Sequence, residues 1–229
     1  MENINDLKDF IKDCVRPGEQ GYLEELEERR KQAAMKFKEN ISAKIDSLMA
    51  KVGAPKRFLN PKSAVKNFNL KQSYYICGGV GTGKTDLAAA VLREILLNTE
   101  PVEDDFGHFH MPPNFAVFVS APAMFLSIRS GVSGNEISEL ELVKKYAEAK
   151  VLVLDDLGTE KLSEWVMQTL YVIINARYEN MLQTLITSNY TLQEIKNNFH
   201  ERIASRIKGM CESVELKGQD KRQKLQAVK

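Results

Sequence analysis

One stretch of this sequence has the residue types and spacing of a phosphate-binding loop. Residues 78–85 read Gly-Gly-Val-Gly-Thr-Gly-Lys-Thr and complete the pattern G-x-x-x-x-G-K-[ST]. In such a loop the glycines let backbone N–H groups surround a polyphosphate, the lysine reaches the β- and γ-phosphates, and the last hydroxyl ligates Mg²⁺. The pattern gives the last two tasks to Lys84 and Thr85. The other predicted nucleotide contacts are Gly79, Val80, Gly81, Thr82 and Gly83.

Two adjacent acids are the second candidate for chemistry. Val151–Leu154 is an aliphatic run, and Asp155 and Asp156 follow it directly. Four consecutive apolar residues favour a strand that is buried on both faces of a parallel sheet, and ligands bind at the carboxyl ends of such strands. We expect Asp155 to hold Mg²⁺ together with Thr85, and Asp156 to polarise an attacking water. The alternative for Asp156 is that it only caps the next turn.

A parallel sheet would bring these residues together, and the rest of the chain predicts one. From Arg57 onward strand and helix patterns alternate, which is typical of an α/β fold. The predicted strands are 73–77, 115–119, 150–154, 184–188 and 212–217. The predicted helices are 84–98, 121–130, 136–148, 163–180, 191–196 and 199–208. The expected fold class is a five-stranded parallel sheet flanked by helices.

A helical arm is expected before the sheet. Apolar residues at helical spacing predict a short helix at 4–15 and a long one at 19–52. The long helix carries one narrow apolar stripe, Leu23–Val52. The stripe either packs on the chain's own domain or binds a partner, and we favour the partner because so narrow a stripe cannot form a core alone. The expected division is an arm at 1–55 and a nucleotide-binding domain at 56–229.

The composition excludes several other classes of protein. The chain has 32 basic and 31 acidic residues, so its net charge of +1 gives no general attraction to nucleic acid, and any such site must be local. Its three cysteines lie far apart, which excludes a zinc ribbon and argues against a disulfide framework. No apolar run approaches the length of about 18 residues that a membrane span needs, and the polar N-terminus is unlike a signal peptide. We expect a cytoplasmic protein that does not enter a membrane.

Three further polar residues could complete the site. Asn189 follows the predicted strand 184–188, where it could orient the water or touch the γ-phosphate; the alternative is an ordinary asparagine at a strand end. Arg202 and Arg206 are four residues apart, on one face of a predicted helix. If subunits assemble side by side, such an arginine can reach the neighbour's γ-phosphate. Otherwise it is an ordinary surface group.

Together these residues resemble the AAA+ ATPases, and most closely the bacterial replicative-helicase loaders of the DnaC/DnaI type, with the IstB-type transposition ATPases as near relatives. The resemblance covers roughly residues 57–225 and is most specific at 164–189, 201–207 and 217–222. It implies a P-loop ATPase that binds ATP and Mg²⁺ and assembles with itself when ATP is bound. By position it implies that Asn189 is sensor 1 and that Arg206 is the arginine finger, with Arg202 as the alternate.

The resemblance also implies a role in DNA replication. A loader would deliver a hexameric replicative helicase onto single-stranded DNA and would grip the helicase with its N-terminal arm. In the family the helices after the second strand bind the DNA, and residues 121–148 of this chain carry Arg129, Lys144 and Lys145 there. The basic tail from Lys221 is an equally open candidate. The alternatives are an IstB-type regulator of a transposase, and an ATP-gated binding module whose hydrolysis is vestigial.

Two departures from the family pattern affect these expectations. Many AAA+ ATPases have Asp-Glu where this chain has Asp155-Asp156, which implies slow hydrolysis that assembly or DNA would stimulate. The family resemblance also gives no separate helical lid after residue 217, so no sensor-2 arginine is assigned.

Overall fold

The computed structural model describes residues 20–104, 106–131, 138–159 and 163–220, and the predicted helix at 4–15 lies outside them. The chain divides into two compact units. The first combines Met1–Ala43 with Glu100–Met111, and the second combines Lys44–Thr99 with Pro112–Lys229. No helix in the described part of the chain is both long and apolar enough to span a membrane.

The second unit is built on a five-stranded parallel sheet, which confirms the predicted fold class. Its strands, in chain order, are β1 (Ser73–Gly78), β2 (Ala116–Ser120), β3 (Val151–Leu157), β4 (Gln183–Ser188) and β5 (Cys211–Leu216). In space they follow the order β2-β3-β4-β1-β5, so β1, which leads into the phosphate loop, lies beside β4. The four aliphatic residues that open β3 are all buried, as a strand covered on both faces requires.

Seven α-helices are seen in the described residues, and their bounds agree closely with the sequence-based ones. They are α1 (Gln20–Lys51), α2 (Lys84–Leu97), α3 (Ala121–Gly131), α4 (Glu139–Glu148), α5 (Glu164–Glu179), α6 (Leu192–Asn198) and α7 (Glu201–Met210), with a 3₁₀ turn at Lys56–Phe58. Local capping explains several starts. Ser138 and Thr191 each accept an N–H of the first turn, while Glu141 and Glu194 bond back to them, a capping box that satisfies two N–H groups.

The first unit contains the N-terminal part of α1 and a small two-stranded hairpin that was not predicted from the sequence. Val102–Glu103 pairs antiparallel with Phe109–His110. Two ion pairs join α1 to this part of the chain: Arg30 to Glu103 of the hairpin at 3.1 Å, and Lys38 to Glu100, which precedes the hairpin, at 2.6 Å. All four side chains are at least partly exposed, so each pair adds little stability.

The last turns of α1 belong to the second unit. Ile45 and Met49 are buried there, and the backbone N–H of Phe118 in β2 donates to the carbonyl of Val52 at 2.7 Å. The compact unit that holds the sheet therefore starts at Lys44. The division into an arm at 1–55 and a domain at 56–229 stays a prediction, and a truncation that keeps this packing should begin at residue 44.

A fully buried arginine joins three elements of the second unit. Arg177 of α5 donates from Nε to Thr184 Oγ1 at 2.9 Å, and from Nη1 to the carbonyls of Tyr146 and Ala149 at 3.0 and 2.8 Å. Nη2 donates to the carbonyl of Gln183 at 2.5 Å. Burial lowers the pKa of Arg177 to about 9, so the guanidinium stays protonated at neutral pH. Carbonyls at the end of α4 are good acceptors for it because a helix C-terminus attracts cations.

Candidate functional site

The phosphate loop joins β1 to α2, and the first turn of α2 follows from its sequence. Gly81 and Gly83 have φ of 73° and 100°, a left-handed conformation that glycine adopts without strain. The Thr82 hydroxyl donates to the carbonyl of Gly79 at 2.9 Å and closes the turn. Lys84 begins the helix with its side chain folded over the loop, where Nζ donates to the carbonyls of Gly78 and Gly79 at 2.9 and 2.8 Å.

The predicted metal ligands lie side by side. The Thr85 hydroxyl donates to Asp155 Oδ2 at 3.2 Å, and the Thr187 hydroxyl donates to Asp155 Oδ1 at 2.6 Å. Asp155 is only 5% exposed, and this burial raises the pKa of its carboxyl group against the effect of the two hydroxyl donors. A carboxylate and a hydroxyl oxygen so close together are hard ligands of the kind Mg²⁺ binds. The donor set therefore fits the ion.

Asp156 faces the pocket from an unusual backbone conformation. Its φ is 54°, and the register of β3 against β4 shifts between Leu154 and Leu157. The Asp156 N–H donates to the Thr187 hydroxyl at 2.9 Å, so one hydroxyl fixes the positions of both acids. The alternative reading as a turn residue also has support, because the carbonyl of Asp156 accepts the Thr159 hydroxyl at 2.9 Å. Both roles are compatible, since the turn uses the Asp156 carbonyl, while Asp156 is also one of the residues that line the pocket at the phosphate loop.

Asn189 reaches the phosphate loop directly. It follows β4, and its Oδ1 accepts a hydrogen bond from Lys84 Nζ at 2.7 Å. The structure thus brings Lys84, Thr85, Asp155, Asp156 and Asn189 to one edge of the sheet, where β1, β3 and β4 end. Their roles in catalysis stay predictions.

The loop opens into a pocket of about 620 Å³, which is within the usual range for small-molecule sites. Sequence reasoning found one part of its lining, including Val80, Lys84, Thr85, Asp156 and Asn189. It missed the other part, which comes from the segment before β1: Arg57, Phe58, Asn60, Lys62 and Ser63. That segment has no motif of its own, so only its three-dimensional position reveals it.

The two candidate finger arginines lie on α7, away from the lining of this pocket. Arg206 donates from Nε to Asn175 Oδ1 at 2.9 Å, and its guanidinium lies 4.9 Å from the centre of the Tyr178 ring. Arg202 is exposed and lines a separate pocket with Tyr171 and Ile203. Neither arginine lines the pocket at the phosphate loop of its own chain, and the finger role stays a prediction.

Two of the three basic residues that were predicted to contact DNA lie against aromatic rings of the chain itself. The Arg129 guanidinium lies 4.8 Å from the centre of the Trp165 ring, and Lys145 Nζ lies 5.7 Å from that of Tyr146. Lys144 is exposed on α4. The basic tail from Lys221 lies outside the described residues.

Comparison with known proteins agrees with this geometry. The family model described as IstB-like ATP binding protein matches residues 115–228. The replicative helicase loader DnaI of Bacillus subtilis is 24% identical over 162 residues, which cover 65% of this chain and 47% of DnaI. The crystal structure of the DnaC helicase loader aligns over 71% of this chain and 100% of that one, with a TM-score of 0.54 and 27% identity. The chain belongs to the AAA+ ATPases of the DnaC/DnaI type.

The AAA+ fold extends to a more distant structure that contains a nucleotide analogue. AMPPCP-bound DnaA from Aquifex aeolicus aligns with this AAA+ chain at a TM-score of 0.52 and 22% identity, over 72% of this chain and 48% of that one. At that identity the likeness concerns the fold alone. The AAA+ chain described here spans about half the length of the curated relatives it matches: 47% of DnaI from Bacillus subtilis and 58% of the replicative helicase loader DnaC of Buchnera aphidicola.

Proposed function

We propose that this AAA+ protein is a Mg²⁺-dependent ATPase that loads a hexameric replicative helicase onto single-stranded DNA in the cytoplasm. The observation that carries the ATPase part is the convergence of Lys84, Thr85, Asp155 and Asn189 beside the phosphate loop. The loader part is supported by the likeness to proteins named replicative helicase loaders.

The residues of the site divide the work of ATP binding. Backbone N–H groups of the loop bind the phosphates, and the Lys84 ammonium, which lies at the carbonyls of Gly78 and Gly79, neutralises their charge. Thr85 and Asp155 would hold Mg²⁺, which when bound supplies positive charge to the β- and γ-phosphates. Asp155 has to be ionised for this role, and its two hydroxyl donors favour that form against the effect of burial.

Hydrolysis then depends on the side chains of Asp156 and Asn189. Asp156 accepts a proton from the attacking water and aims it at the γ-phosphate. Asn189, which contacts Lys84, orients the same water or the γ-phosphate. Arg206, or Arg202 in its place, stabilises the transition-state charge on the nucleotide of an adjacent subunit. The shorter acid at position 156 makes the isolated subunit a slow enzyme, so assembly or DNA should stimulate it.

The helicase contact is assigned to the N-terminal arm, and the DNA contact to residues 121–148. The DNA contact would be sequence-independent and would weaken with salt, because it relies on Arg129, Lys144 and Lys145 meeting phosphates. The part of the arm's stripe that precedes Lys44 would dock its apolar residues in a groove of the helicase, since the later part packs in the second unit.

A pull-down tests the loader function. Tagged full-length protein should retain the host's hexameric helicase, and a variant that lacks residues 1–43 should lose it while still binding ATP, because the second unit starts at Lys44. Lys84→Ala in the full chain is the matched control for nucleotide dependence. Retention of the helicase by the truncated protein would rule out residues 1–43 as the docking site.

A second candidate function is an ATPase that serves a transposase. It is favoured by the match of an IstB-like model to residues 115–228. The same pull-down separates the two functions, because this candidate predicts that a transposase and its DNA, rather than the helicase, are recovered.

A further inference from the structure

The nucleotide pocket has a wall that does not belong to the phosphate loop. We define the pocket wall as residues 57–63, which contribute Arg57, Phe58, Asn60, Lys62 and Ser63 to the lining. The loop can hold only the polyphosphate of a nucleotide, so the nucleoside has to lie against other lining residues. The half-buried Phe58 ring, with the Arg57 guanidinium 5.9 Å from its centre, is an aromatic and cationic surface on which a base can stack.

The pocket wall is largely irregular backbone, and side chains of α2 hold it in place. The Asp86 carboxylate accepts the Lys62 N–H at 3.1 Å, the Ser63 N–H at 2.8 Å and the Ser63 hydroxyl at 2.7 Å. Two helical turns further on, Arg93 donates from Nη1 to the carbonyl of Leu59 at 3.2 Å. Hydrogen bonds to α2 thus hold the pocket wall at Leu59 and again at Lys62 and Ser63.

Asp86 lies in the same helical turn as the residues that bind phosphate. Lys84 and Thr85 begin α2, and Asp86 follows them directly. Its carboxylate therefore sets the distance between the pocket wall and the phosphate loop. Without the Asp86 carboxylate, the N–H groups of Lys62 and Ser63 would donate to water instead. Nucleotide binding would then have to order the pocket wall, which would lower the affinity.

We propose that Asp86 is a positioning residue that preorganises the pocket wall for the nucleoside part of ATP. The inference rests on the proposed ATP binding and adds to it a division of the pocket. The phosphate loop binds the charge of the nucleotide, and the wall held by Asp86 binds its base and sugar. ATP and ADP, which share the nucleoside, should therefore depend on Asp86 equally.

Calorimetric titration of the full chain with ATP, ADP and inorganic tripolyphosphate separates these parts. Asp86→Ala should raise the Kd of ATP and of ADP by about tenfold each, the effect of losing one or two net hydrogen bonds. The Kd of tripolyphosphate should stay within about twofold, because the phosphate loop is unchanged. Ser63→Ala removes only the hydroxyl donor and should raise the two nucleotide constants by about threefold. Glu141→Ala is the matched control, since Glu141 also accepts the N–H and O–H of a serine, but on α4 and away from the pocket.

The outcomes show whether Asp86 acts on the pocket wall or on the phosphate loop. Equal weakening of all three ligands by Asp86→Ala would mean that Asp86 acts on the phosphate loop, and would overturn the proposal, as would unchanged ATP affinity. Should Asp86→Ala fail to fold, Ser63→Ala decides in the same way. Phe58→Ala should weaken ATP as well, and adding Asp86→Ala to it should cost little more, because both changes remove the same contact. If the wild-type protein binds neither nucleotide, the proposed function itself is wrong.

Discussion

Lys84 and Asn189 are joined by a hydrogen bond of 2.7 Å between Nζ and Oδ1, across 105 residues of sequence. The contact follows from the strand order, because β1 leads into the phosphate loop, β4 leads into Asn189, and the two strands are neighbours. The cation that would bind the γ-phosphate and the amide that would sense it are thus in direct contact. Both side chains are therefore placed to act on the same phosphate group.

Asn189→Ala should therefore slow hydrolysis more than it weakens binding. Lys84 keeps its two carbonyl partners, so the loop stays formed and the Kd of ATP should change by no more than about threefold. The turnover rate should fall by about tenfold or more, because the amide no longer orients the water or the γ-phosphate. Single-turnover ATPase measurements check this, with Asn180→Ala at the end of α5 as the control. Unchanged turnover would remove Asn189 from the catalytic site.

Asp156→Asn should slow ATP hydrolysis while ATP binding is retained. The metal ligand Asp155 remains and the side-chain volume hardly changes, so ATP and Mg²⁺ should still bind. The amide is a poor proton acceptor, and the rate of hydrolysis should fall by about 100-fold, within the usual contribution of a general base. A phosphate-release assay gives the rate. If the variant turns over normally, another residue positions the water and Asp156 serves only its turn.

Arg206→Ala should bind nucleotide normally but lose ATPase activity in the assembled state. The decisive experiment mixes it with Lys84→Ala: the first protein supplies an intact phosphate loop and the second an intact finger. Recovery on mixing would place Arg206 in trans, where fingers contribute up to about 10³–10⁵-fold in rate. If ATPase activity recovers only when Arg202→Ala is mixed with Lys84→Ala, the finger is Arg202, one turn away on α7. If neither mixture recovers, the trans model should be dropped.

Arg177→Lys should destabilise the fold although it keeps the charge. A lysine cannot reproduce the fork that serves Thr184 Oγ1 and the carbonyls of Tyr146, Ala149 and Gln183, so buried acceptors lose their donors. We expect the free energy of unfolding to fall by about 2–4 kcal/mol in urea denaturation. Arg29→Lys, in an exposed ion pair with Glu25, should change it by less than about 0.5 kcal/mol. Equal stability of the two variants would contradict this role of Arg177.

Local patterns made the strands and the phosphate loop predictable. The loop is a contiguous motif, and the run Val151–Leu154 is buried on both faces because the chain alternates strand and helix around it. The contact of Asp155 with Thr85 also follows, since Asp155 is near the carboxyl end of β3 and the phosphate loop that leads to Thr85 leaves the carboxyl end of β1, at the same edge of one parallel sheet.

The rest depends on contacts between distant residues that no local pattern encodes. Nothing in the local pattern around Arg177 indicates that its side chain is buried, and the five backbone and side-chain acceptors that compensate this burial come from other segments of the chain. The pocket wall is irregular, and Asp86, which holds it, looks like any acid in a first helical turn. The apolar residues of α1 form one stripe in the sequence, yet its last turns pack beside β2 in the unit that starts at Lys44.

ATP binding by wild-type and Lys84→Ala protein, measured by calorimetry in the presence of Mg²⁺, tests the central claim most directly. Lys84 is the cation of the phosphate loop, so its removal should weaken ATP by at least about 100-fold, while Lys144→Ala on α4 should leave the Kd unchanged. Wild-type affinity in Lys84→Ala, or the absence of ATP binding by the wild-type protein, would contradict the claim that residues 78–85 form a functional nucleotide site.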